Sequence, residues 1–351
     1  MSQALARAER RFVLSEESHE AEWDAFVAAR CDGTGYHLWR WRHVFERALG
    51  HHTDYLIARD EDRVVGVLPL VTMKSHIFGH FMVSLPFVNY GGVLATEASV
   101  ARALLAEAAR VAQCGDLSHV EFRHRVQHFP DLPAKRHKVG MLMDLAPDAG
   151  AAWQRLDRKV RNQIRKAEKS GLTAAIGGPE LVGDFYRVFA RNMRDLGTPV
   201  YARDFFEEVL RQFPERTRVF SVTGAGTPIA AAIGYAYGRT LEVPWASSLK
   251  ASRGLCPNHL LYWTVIQHAI AEGFAVLDFG RSTPDEGTYH FKRQWGARPE
   301  PLCWEYRLFS TKHVPDQSPK NPRFRLAVAL WKRLPVTVAT FIGPRIVRSI
   351  P

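Results

Sequence analysis

Apolar positions along this chain recur with two spacings, in nearly the same order in each half of the sequence. Intervals of three to four residues predict a helix, whereas alternation or a short apolar run predicts a strand. The first half reads as two helices, a hairpin, a strand, a helix and two strands, over residues 20–29, 38–49, 55–71, 81–94, 98–114, 119–123 and 140–145. The second half repeats this plan over residues 149–170, 181–196, 202–213, 217–237, 241–247, 259–272, 276–280 and 302–309. A repeated order of elements is the trace of a duplication, so we predict two similar domains.

The boundaries follow from where the plan restarts. We predict one domain over residues 1–147, a second over 148–310, and a tail of different character over 311–351. Most of the residues suited to chemistry lie in the second domain. Within the first-half hairpin, Pro69 lacks an N–H and predicts an edge strand or the end of pairing at that point.

The helix predicted over residues 149–170 is unusually cationic. Its apolar residues form one stripe, and the rest of its surface carries Arg155, Arg158, Lys159, Arg161, Arg165, Lys166 and Lys169. A solvated face is the ordinary explanation, but only Asp157 and Glu168 offset seven cations, which indicates a nearby anion. Lys159 and Arg161 lie at the edges of the buried stripe. Arg161 is the stronger candidate because its planar fork can bind phosphate oxygens in bidentate fashion.

The second candidate region runs from the strand at 276–280 to the strand at 302–309. A polar loop at the end of the first strand opens a short helix that contains Lys292. Loops at the carboxyl end of a strand commonly hold ligands in α/β proteins, because backbone amides at the helix start face an open crevice. Lys292 is therefore the first candidate for chemistry.

Three ordered motifs in this region resemble the carboxyl-terminal signature of the FemAB family of the GNAT acyltransferase superfamily. They are Asp278-Phe279-Gly280-Arg281-Ser282, Gly287-Thr288-Tyr289 and Phe291-Lys292-x-x-Trp295-Gly296. The cationic helix, with Lys159-x-Arg161-Asn162-x-Ile164-Arg165-Lys166, is similar to the motif that opens the second domain of that family. The sequence looks most like the branch found beside exosortase (PEP-CTERM) and exopolysaccharide genes.

The resemblance implies an α/β fold of two tandem GNAT-like domains, each with a mixed, mostly antiparallel sheet flanked by helices. It implies an N-acyltransferase that moves an acyl or aminoacyl group to an amine in cell-envelope or exopolysaccharide biosynthesis. It also implies that Lys292 offers a cation to the oxyanion or to a substrate phosphate, and that Arg161 helps to hold a phosphate. An Asn-Tyr-Gly-Gly element similar to the one at Asn89 and Tyr90 lies near the substrate cleft in the family; the alternative here is a bulge without a ligand.

Direct acyl transfer requires an oriented carbonyl, a nucleophile and a stabilised oxyanion. Asp278 or His290 is the candidate to take the amine proton, although Asp278 on a strand is equally suited to a structural role. The remaining substrate-binding candidates lie in the turn before the helix at 202–213, on and after the strand at 241–247, and around Lys292: Tyr201, Trp245, Arg253, Arg281 and Tyr289.

The sequence leaves the donor open, and the cofactor is unknown. The loop at 249–258 lacks the glycine-rich pattern with which GNAT proteins wrap coenzyme A, so acyl-CoA is weakly supported. The helices at 181–196 and 202–213 leave no room for the long arm that peptidoglycan-type enzymes direct at transfer RNA, so aminoacyl-tRNA is also weakly supported.

Two other classes stay open. A sugar-modifying enzyme that is not an acyltransferase would use a metal-binding Asp-x-Asp pair, whose nearest match is Asp60-Glu61-Asp62 at a hairpin tip; we expect no metal site. A noncatalytic RNA-binding module would interleave aromatic residues with cations, whereas Tyr and Trp lie mostly in apolar strands here.

Charge and cysteine content narrow the setting. Lys and Arg exceed Asp and Glu by 47 − 36 = 11, which favours an anionic small molecule or a lipid-linked sugar as partner. The four cysteines lack metal-ligand spacing, as is typical of a reducing compartment. We find neither a signal peptide nor an apolar run near the ~20 residues of a membrane span, and we expect a cytoplasmic protein.

The tail contains no acidic residue after Asp316, and its cations are spread among apolar residues. Such a segment suits the anionic surface of an inner membrane, which would make the protein peripheral there. The alternative is an extension docked on the domain with its cations turned outward.

Overall fold

The computed structural model describes residues 11–14, 16–75, 79–310, 313–315 and 325–350. Part of the predicted tail, including Lys320 and Arg323, lies outside the described residues. The chain forms two compact units. Unit 1 contains the described residues up to Lys135 together with Cys303–Pro315, and unit 2 contains Arg136–Leu302 together with the helices after residue 324.

The elements up to Lys135 confirm the predicted hairpin and long helix. In chain order they are β1 (Arg11–Leu14), α1 (Glu20–Ala28), α2 (Trp41–His43), β2 (His52–Asp60), β3 (Arg63–Ser75), β4 (Gly79–Val83), β5 (Leu94–Ala95), α3 (Ala98–Cys114), β6 (His119–His124) and β7 (Ala134–Lys135). The helix predicted over 38–49 begins at Trp41: α2 is one turn long and continues as a π-helical turn at Val44–Ala48.

The remaining elements include the candidate site. They are β8 (Val139–Asp144), α4 (Ala149–Arg155), α5 (Arg158–Lys169), β9 (Thr173–Gly177), α6 (Val182–Leu196), α7 (Arg203–Gln212), β10 (Thr217–Gly224), β11 (Thr227–Tyr237), β12 (Thr240–Ser248), α8 (Pro257–Ala271), β13 (Val276–Ser282), α9 (Gly287–Arg293), β14 (Arg298–Pro301), β15 (Cys303–Leu308), α10 (Arg325–Trp331) and α11 (Val336–Val347).

Each unit is built on one mostly antiparallel sheet. In unit 1 the strand order is β1-β2-β3-β4-β6-β15-β7, with β5 beside β3; in unit 2 it is β14-β8-β13-β12-β11-β10-β9. Each sheet contains one parallel pair, β4–β6 in unit 1 and β12–β13 in unit 2. Helices flank both sheets, so the predicted fold class is confirmed.

Pro69 lies inside β3 rather than on an edge strand. On one side it pairs with Tyr55 of β2. On the other side β3 pairs with β5 at Gly66–Val67 and with β4 from Val71 onward, so Pro69 falls between the two partners. On that side the pairing is interrupted at Pro69, in line with the predicted end of pairing.

The predicted helix over 149–170 is divided into α4 and α5 around Leu156. The Asp148 carboxylate caps the start of α4 by accepting from the Ala151 N–H at 2.7 Å. In α5, Val160, Ile164 and Ala167 are buried against the core of unit 2, as the apolar spacing predicted. Because α5 packs on α8, its cationic face lies beside the start of that helix.

The order of the strands along the chain does not follow the division into units. β8 precedes the predicted boundary at Pro147, yet it pairs with β13 and β14 of unit 2. β15 lies within the predicted second domain but pairs with β6 and β7 of unit 1. The units are therefore discontinuous in sequence, unlike the predicted domains 1–147, 148–310 and 311–351.

Candidate functional site

The parallel strands β12 and β13 separate after a short pairing. They pair at three positions, of which Glu242 with Asp278 is the last. Beyond it, β12 has a bulge at Val243–Pro244, two residues that oppose the single Gly234 of β11. β13 has its own bulge between Asp278 and Arg281 where it pairs with β8. Two adjacent parallel strands that bulge and part leave backbone groups without a sheet partner, which is where a ligand can approach.

Lys292 of α9 is buried against the β13 bulge. Its ammonium donates to the carbonyl oxygens of Gly280 at 3.1 Å and Arg281 at 2.9 Å. The Asp278 carboxylate accepts from the Gly280 N–H at 2.8 Å, so both ends of the bulge are fixed by side chains. Gly280 has a φ of 72°, which favours glycine at this bend.

The charge of Lys292 is held in an apolar environment. Burial lowers its pKa to about 8, against the opposing effect of the Asp278 and Glu242 carboxylates. Asp278 is 1% exposed and Glu242 is 5% exposed. With two ammonium hydrogens engaged by backbone oxygens, Lys292 can shape the bulge and supply positive potential to the split between the strands.

A cavity of about 540 Å³ lies between the cationic face of α5 and the start of α8. Its lining residues are Arg158, Lys159, Asn162, Gln163, Lys166 and Cys256. Cys256 precedes α8 in the left-handed region with a φ of 61°, and Pro257 is the first residue of the helix. A helix start attracts anions through its free N–H groups and dipole, and three cations on α5 add to that attraction.

The charge of Lys159 also acts on the start of α8. Burial lowers the pKa of His259 to about 4, and the charge of Lys159 contributes to this shift. His259 packs edge-on against Phe291 of α9, with ring centroids 5.3 Å apart. A neutral imidazole at this place adds no positive charge of its own, so the cations of α5 set the potential of the cavity.

Arg161 lies on the other edge of the buried stripe of α5, and it does not line the described cavity. Its Nε is buried without a hydrogen-bond partner among the described residues. The side chains that line the cavity, at positions 158, 159, 162, 163 and 166, follow helical spacing on the Lys159 side of the stripe. At this cavity the lining residue is therefore Lys159 and not Arg161, which is the reverse of the predicted preference.

The other predicted residues of unit 2 fall into two groups. Tyr201 and Trp245 share an aromatic cluster with Phe205, whose ring centroid is 5.4 Å from Tyr201 and 5.6 Å from Trp245. Arg253 is exposed in the 3₁₀ turn at Lys250–Leu255 that leads to Cys256.

The second group surrounds the loop between β13 and α9. Arg281 is half-buried, and its carbonyl accepts from Lys292. Tyr289 and His290 are neighbours on α9, with ring centroids 5.5 Å apart. Tyr289 is half-buried and His290 is exposed, so His290 is available to solvent.

Asn89 and Tyr90 belong to unit 1 and are buried. The peptide that follows them, between Gly92 and Val93, is held at both ends by histidines. His37 Nε2 lies 3.1 Å from the Gly92 carbonyl oxygen, and the Val93 N–H donates to His124 Nε2 at 3.0 Å. A Cβ at Gly92 would lie 2.0 Å from the His124 ring, so the glycine permits this approach.

Hydrogen bonds define the tautomer of His124. Because Nε2 accepts from Val93, Nδ1 carries the proton and donates to Glu305 Oε2 at 2.7 Å. Burial lowers the pKa of His124, and a charged ring would lose its bond to Val93. Glu305 is fully buried and also accepts from the N–H groups of His128 and Phe129. The Asn-Tyr-Gly-Gly break is thus packed against the protein's own side chains.

The sequence analysis missed part of the cavity lining. Asn162, Gln163 and Cys256 were not among the predicted site residues, Lys159 was named only as the weaker of two candidates, and Arg158 and Lys166 were noted only as part of a cationic face. Their helical spacing was a usable signal, since together they form one stripe beside the buried one. Nothing in the sequence marked Cys256, whose importance comes from its backbone conformation at the start of α8.

The sheet of unit 2 is mixed, and its parallel strands β12 and β13 part after three paired positions. Residues 154–293 match the family model described as acetyltransferase (GNAT) domain. These residues contain the cavity, the split between β12 and β13, and Lys292. No curated protein matches the chain.

Solved structures share the fold over most of the chain. A crystal structure of FemX has a TM-score of 0.65 at 14% identity, covering 91% of this chain and 100% of that one. The C-terminal domain of a putative lysylphosphatidylglycerol synthetase from Agrobacterium fabrum has a TM-score of 0.57 at 13% identity, covering 84% and 94%. A tandem GNAT protein from the clavulanic acid biosynthesis pathway has a TM-score of 0.54 at 14% identity, covering 87% and 100%. At these identities the likeness shows the fold.

Proposed function

We propose that this protein is an N-acyltransferase that moves an acyl or aminoacyl group from a phosphate-bearing donor to an amine. The observation that carries the proposal is the cationic cavity at the start of α8, in the domain that matches the GNAT family. Arg158, Lys159 and Lys166 supply positive charge, and the positive end of the α8 helix dipole adds to it. A diphosphate linkage presents oxygens suited to both.

The split between β12 and β13 is the proposed position of the reacting carbonyl. The amine nitrogen attacks the carbonyl carbon, a C–N bond forms, and the bond to the donor's sulfur or oxygen breaks. The amine proton passes to a base, for which Asp278 and His290 are the candidates, and the leaving thiolate or alkoxide takes up a proton. Lys292 acts as a positioning residue that fixes the β13 bulge, and its charge favours the oxyanion.

The proposed setting is assembly of the cell envelope or of an exopolysaccharide, including a PEP-CTERM system. Support comes from the FemAB-like motifs around Lys292 and from the shared fold with FemX and a putative lysylphosphatidylglycerol synthetase. The amine would then belong to an anionic or lipid-linked acceptor, in keeping with the net charge of +11.

The cavity is tested by reversing two of its charges. In Arg158→Glu/Lys166→Glu we expect affinity for coenzyme A or for an aminoacyl-tRNA, whichever the wild type binds, to fall at least tenfold, because two charge-assisted contacts become repulsive. Isothermal titration calorimetry with each donor measures this. Lys169→Glu is the matched control, since Lys169 is exposed on the same helix outside the cavity lining.

Two results would count against the proposal. One is equal affinity of the double variant and the wild type for the bound donor. The other is a wild-type protein that binds neither donor while native mass spectrometry of protein exposed to cell extract shows a retained nucleotide sugar, which would favour a sugar-modifying enzyme.

A further inference from the structure

In the last two helices, α10 and α11, large apolar residues face solvent, while small residues of α11 face the protein. The buried positions of α11 are Ala339, Gly343 and Val347, spaced four residues apart on one face. A Cβ at Gly343 would lie 2.9 Å from the Val200 backbone nitrogen, so small residues let α11 approach the turn after α6 closely. The Arg194 guanidinium of α6 also donates to the Leu334 carbonyl between α10 and α11, at 3.0 Å.

The large apolar side chains of these helices face solvent instead. Phe341 is 68% exposed, with Val338 and Ile342 beside it on the outer face of α11. On α10, Leu326 is 72% exposed and Leu330, one turn later, is 56% exposed. Of the ten large apolar residues exposed among the described residues, five lie in this hairpin of two helices. A docked amphipathic helix ordinarily turns such residues to the core, so this surface is suited to a partner.

The charged residues of these two helices and of the turn between them have one sign. Arg325, Lys332, Arg333, Arg345 and Arg348 are exposed, and the sequence has no acidic residue after Asp316. The Arg345 guanidinium lies 4.4 Å from the centroid of the Phe341 ring, at the border of the apolar surface. Apolar side chains bordered by cations match the depth profile of an anionic bilayer, where phosphates lie above the acyl chains.

We propose that the hairpin of α10 and α11 docks this protein on the surface of an anionic lipid bilayer. Leu326, Leu330, Phe341 and Ile342 enter the boundary between headgroups and acyl chains, and the arginines bind headgroup phosphates. None of the helices in the described part of the chain has the length and apolar content for a bilayer crossing, and the docking is interfacial. The proposal stands apart from the proposed chemistry, because it uses none of the cavity or split residues.

Flotation of the full-length protein with vesicles tests the docking. We expect it to float with vesicles of phosphatidylcholine and phosphatidylglycerol, to stay behind with phosphatidylcholine alone, and to be released by high salt. In Leu326→Ser/Phe341→Ser the partition coefficient should fall by about tenfold or more, because two buried apolar contacts are removed. Val126→Ser, which changes an exposed apolar residue of unit 1, should float as the wild type does.

The substituted side chains face solvent, so the double variant should keep the wild-type melting temperature. Flotation unchanged by Leu326→Ser/Phe341→Ser would overturn the proposal, as would equal flotation with neutral vesicles. A wild-type dimer by light scattering that the double variant converts to a monomer, without flotation of either, would assign the surface to a second copy of the chain.

Discussion

Unit 1 and unit 2 each have an apolar stretch of sequence interrupted by glycine, and the two interruptions meet different neighbours. In unit 1 the Gly92–Val93 peptide is held by His37 and His124. In unit 2 the bulge at Gly280 is held by Lys292, next to the point where β12 and β13 part. The same unit contains the cationic cavity. A glycine in an apolar stretch of sequence therefore lies at an internal contact in unit 1 and at the border of a candidate site in unit 2.

The difference lies in how polar groups are satisfied. In unit 1, Glu305 accepts three hydrogen bonds and His124 uses both ring nitrogens, which leaves this network complete without a ligand. In unit 2, Arg161 Nε, Ser282 Oγ and Trp295 Nε1 are buried without a partner among the described residues. Unit 1 contains such atoms too, Trp39 Nε1 and His119 Nε2 among them, so the contrast holds for the network around Glu305 and does not extend to the two units as wholes.

Of the three changes predicted here, removal of Glu305 should lower stability most, because it breaks the hydrogen-bond network of unit 1. In Glu305→Ala the ring N–H of His124 and the N–H groups of His128 and Phe129 lose their acceptor, and we expect a loss of about 3–5 kcal/mol in the free energy of unfolding. Urea denaturation followed by circular dichroism measures it. Asp131→Ala removes an exposed carboxylate paired with Arg102 and should cost far less, because solvent screens an exposed ion pair. Similar losses in both variants would show that the network is not a structural unit.

Acid should weaken unit 1 through His37. Burial lowers the pKa of His37 from 6.5 to about 4, while the hydrogen bond to Gly92 opposes the shift only in part. The unfolded chain therefore binds a proton in this window and the folded chain does not, so stability falls as pH falls from 6.5 to 4, by about 3 kcal/mol from this residue. In His37→Asn this part of the pH slope should be absent in urea denaturation at each pH. His52→Asn, at an exposed position, should keep the wild-type slope, and an unchanged slope in His37→Asn would contradict the prediction.

Base should strengthen unit 2 through Lys292, by a smaller amount. The folded pKa of about 8 lies below the ordinary 10.5, so the unfolded chain holds the proton between these values while the folded chain releases it. Stability should rise with pH across that window, and the difference between wild type and Lys292→Met should change by about 2 kcal/mol from pH 8 to 10. Chemical denaturation at both pH values measures it, with Lys169→Met as the exposed control. A constant difference would mean that Lys292 titrates normally.

Local patterns predicted most of the fold. The buried stripe of α5, the Ala-rich helix α3 and the hairpins follow from spacing alone, because those contacts are made by residues close in sequence. The positions of β8 and β15 could not be predicted, since their partners lie far away along the chain. The division of the helix at Leu156 was also missed, because one apolar stripe runs through both α4 and α5.

The site could be predicted only in part. Motif order located Lys292 and Asp278, but the wheel of α5 placed Lys159 and Arg161 symmetrically at the two edges of the stripe. Only the packing of α5 on α8 decides which edge faces the cavity. Glu305 lies in the strand predicted over 302–309, and its burial depends on both faces of β15 being covered.

The exchanged strands reverse the order in which the two sheets can be completed during synthesis. The sheet of unit 1 contains the early strands β1 to β6, yet β15, which lies between β6 and β7, is made only after Leu302. By then every strand from β8 to β14 of the unit 2 sheet has been translated. The sheet of the amino-terminal unit must therefore wait, with an unpaired place, until the strands of unit 2 have been made.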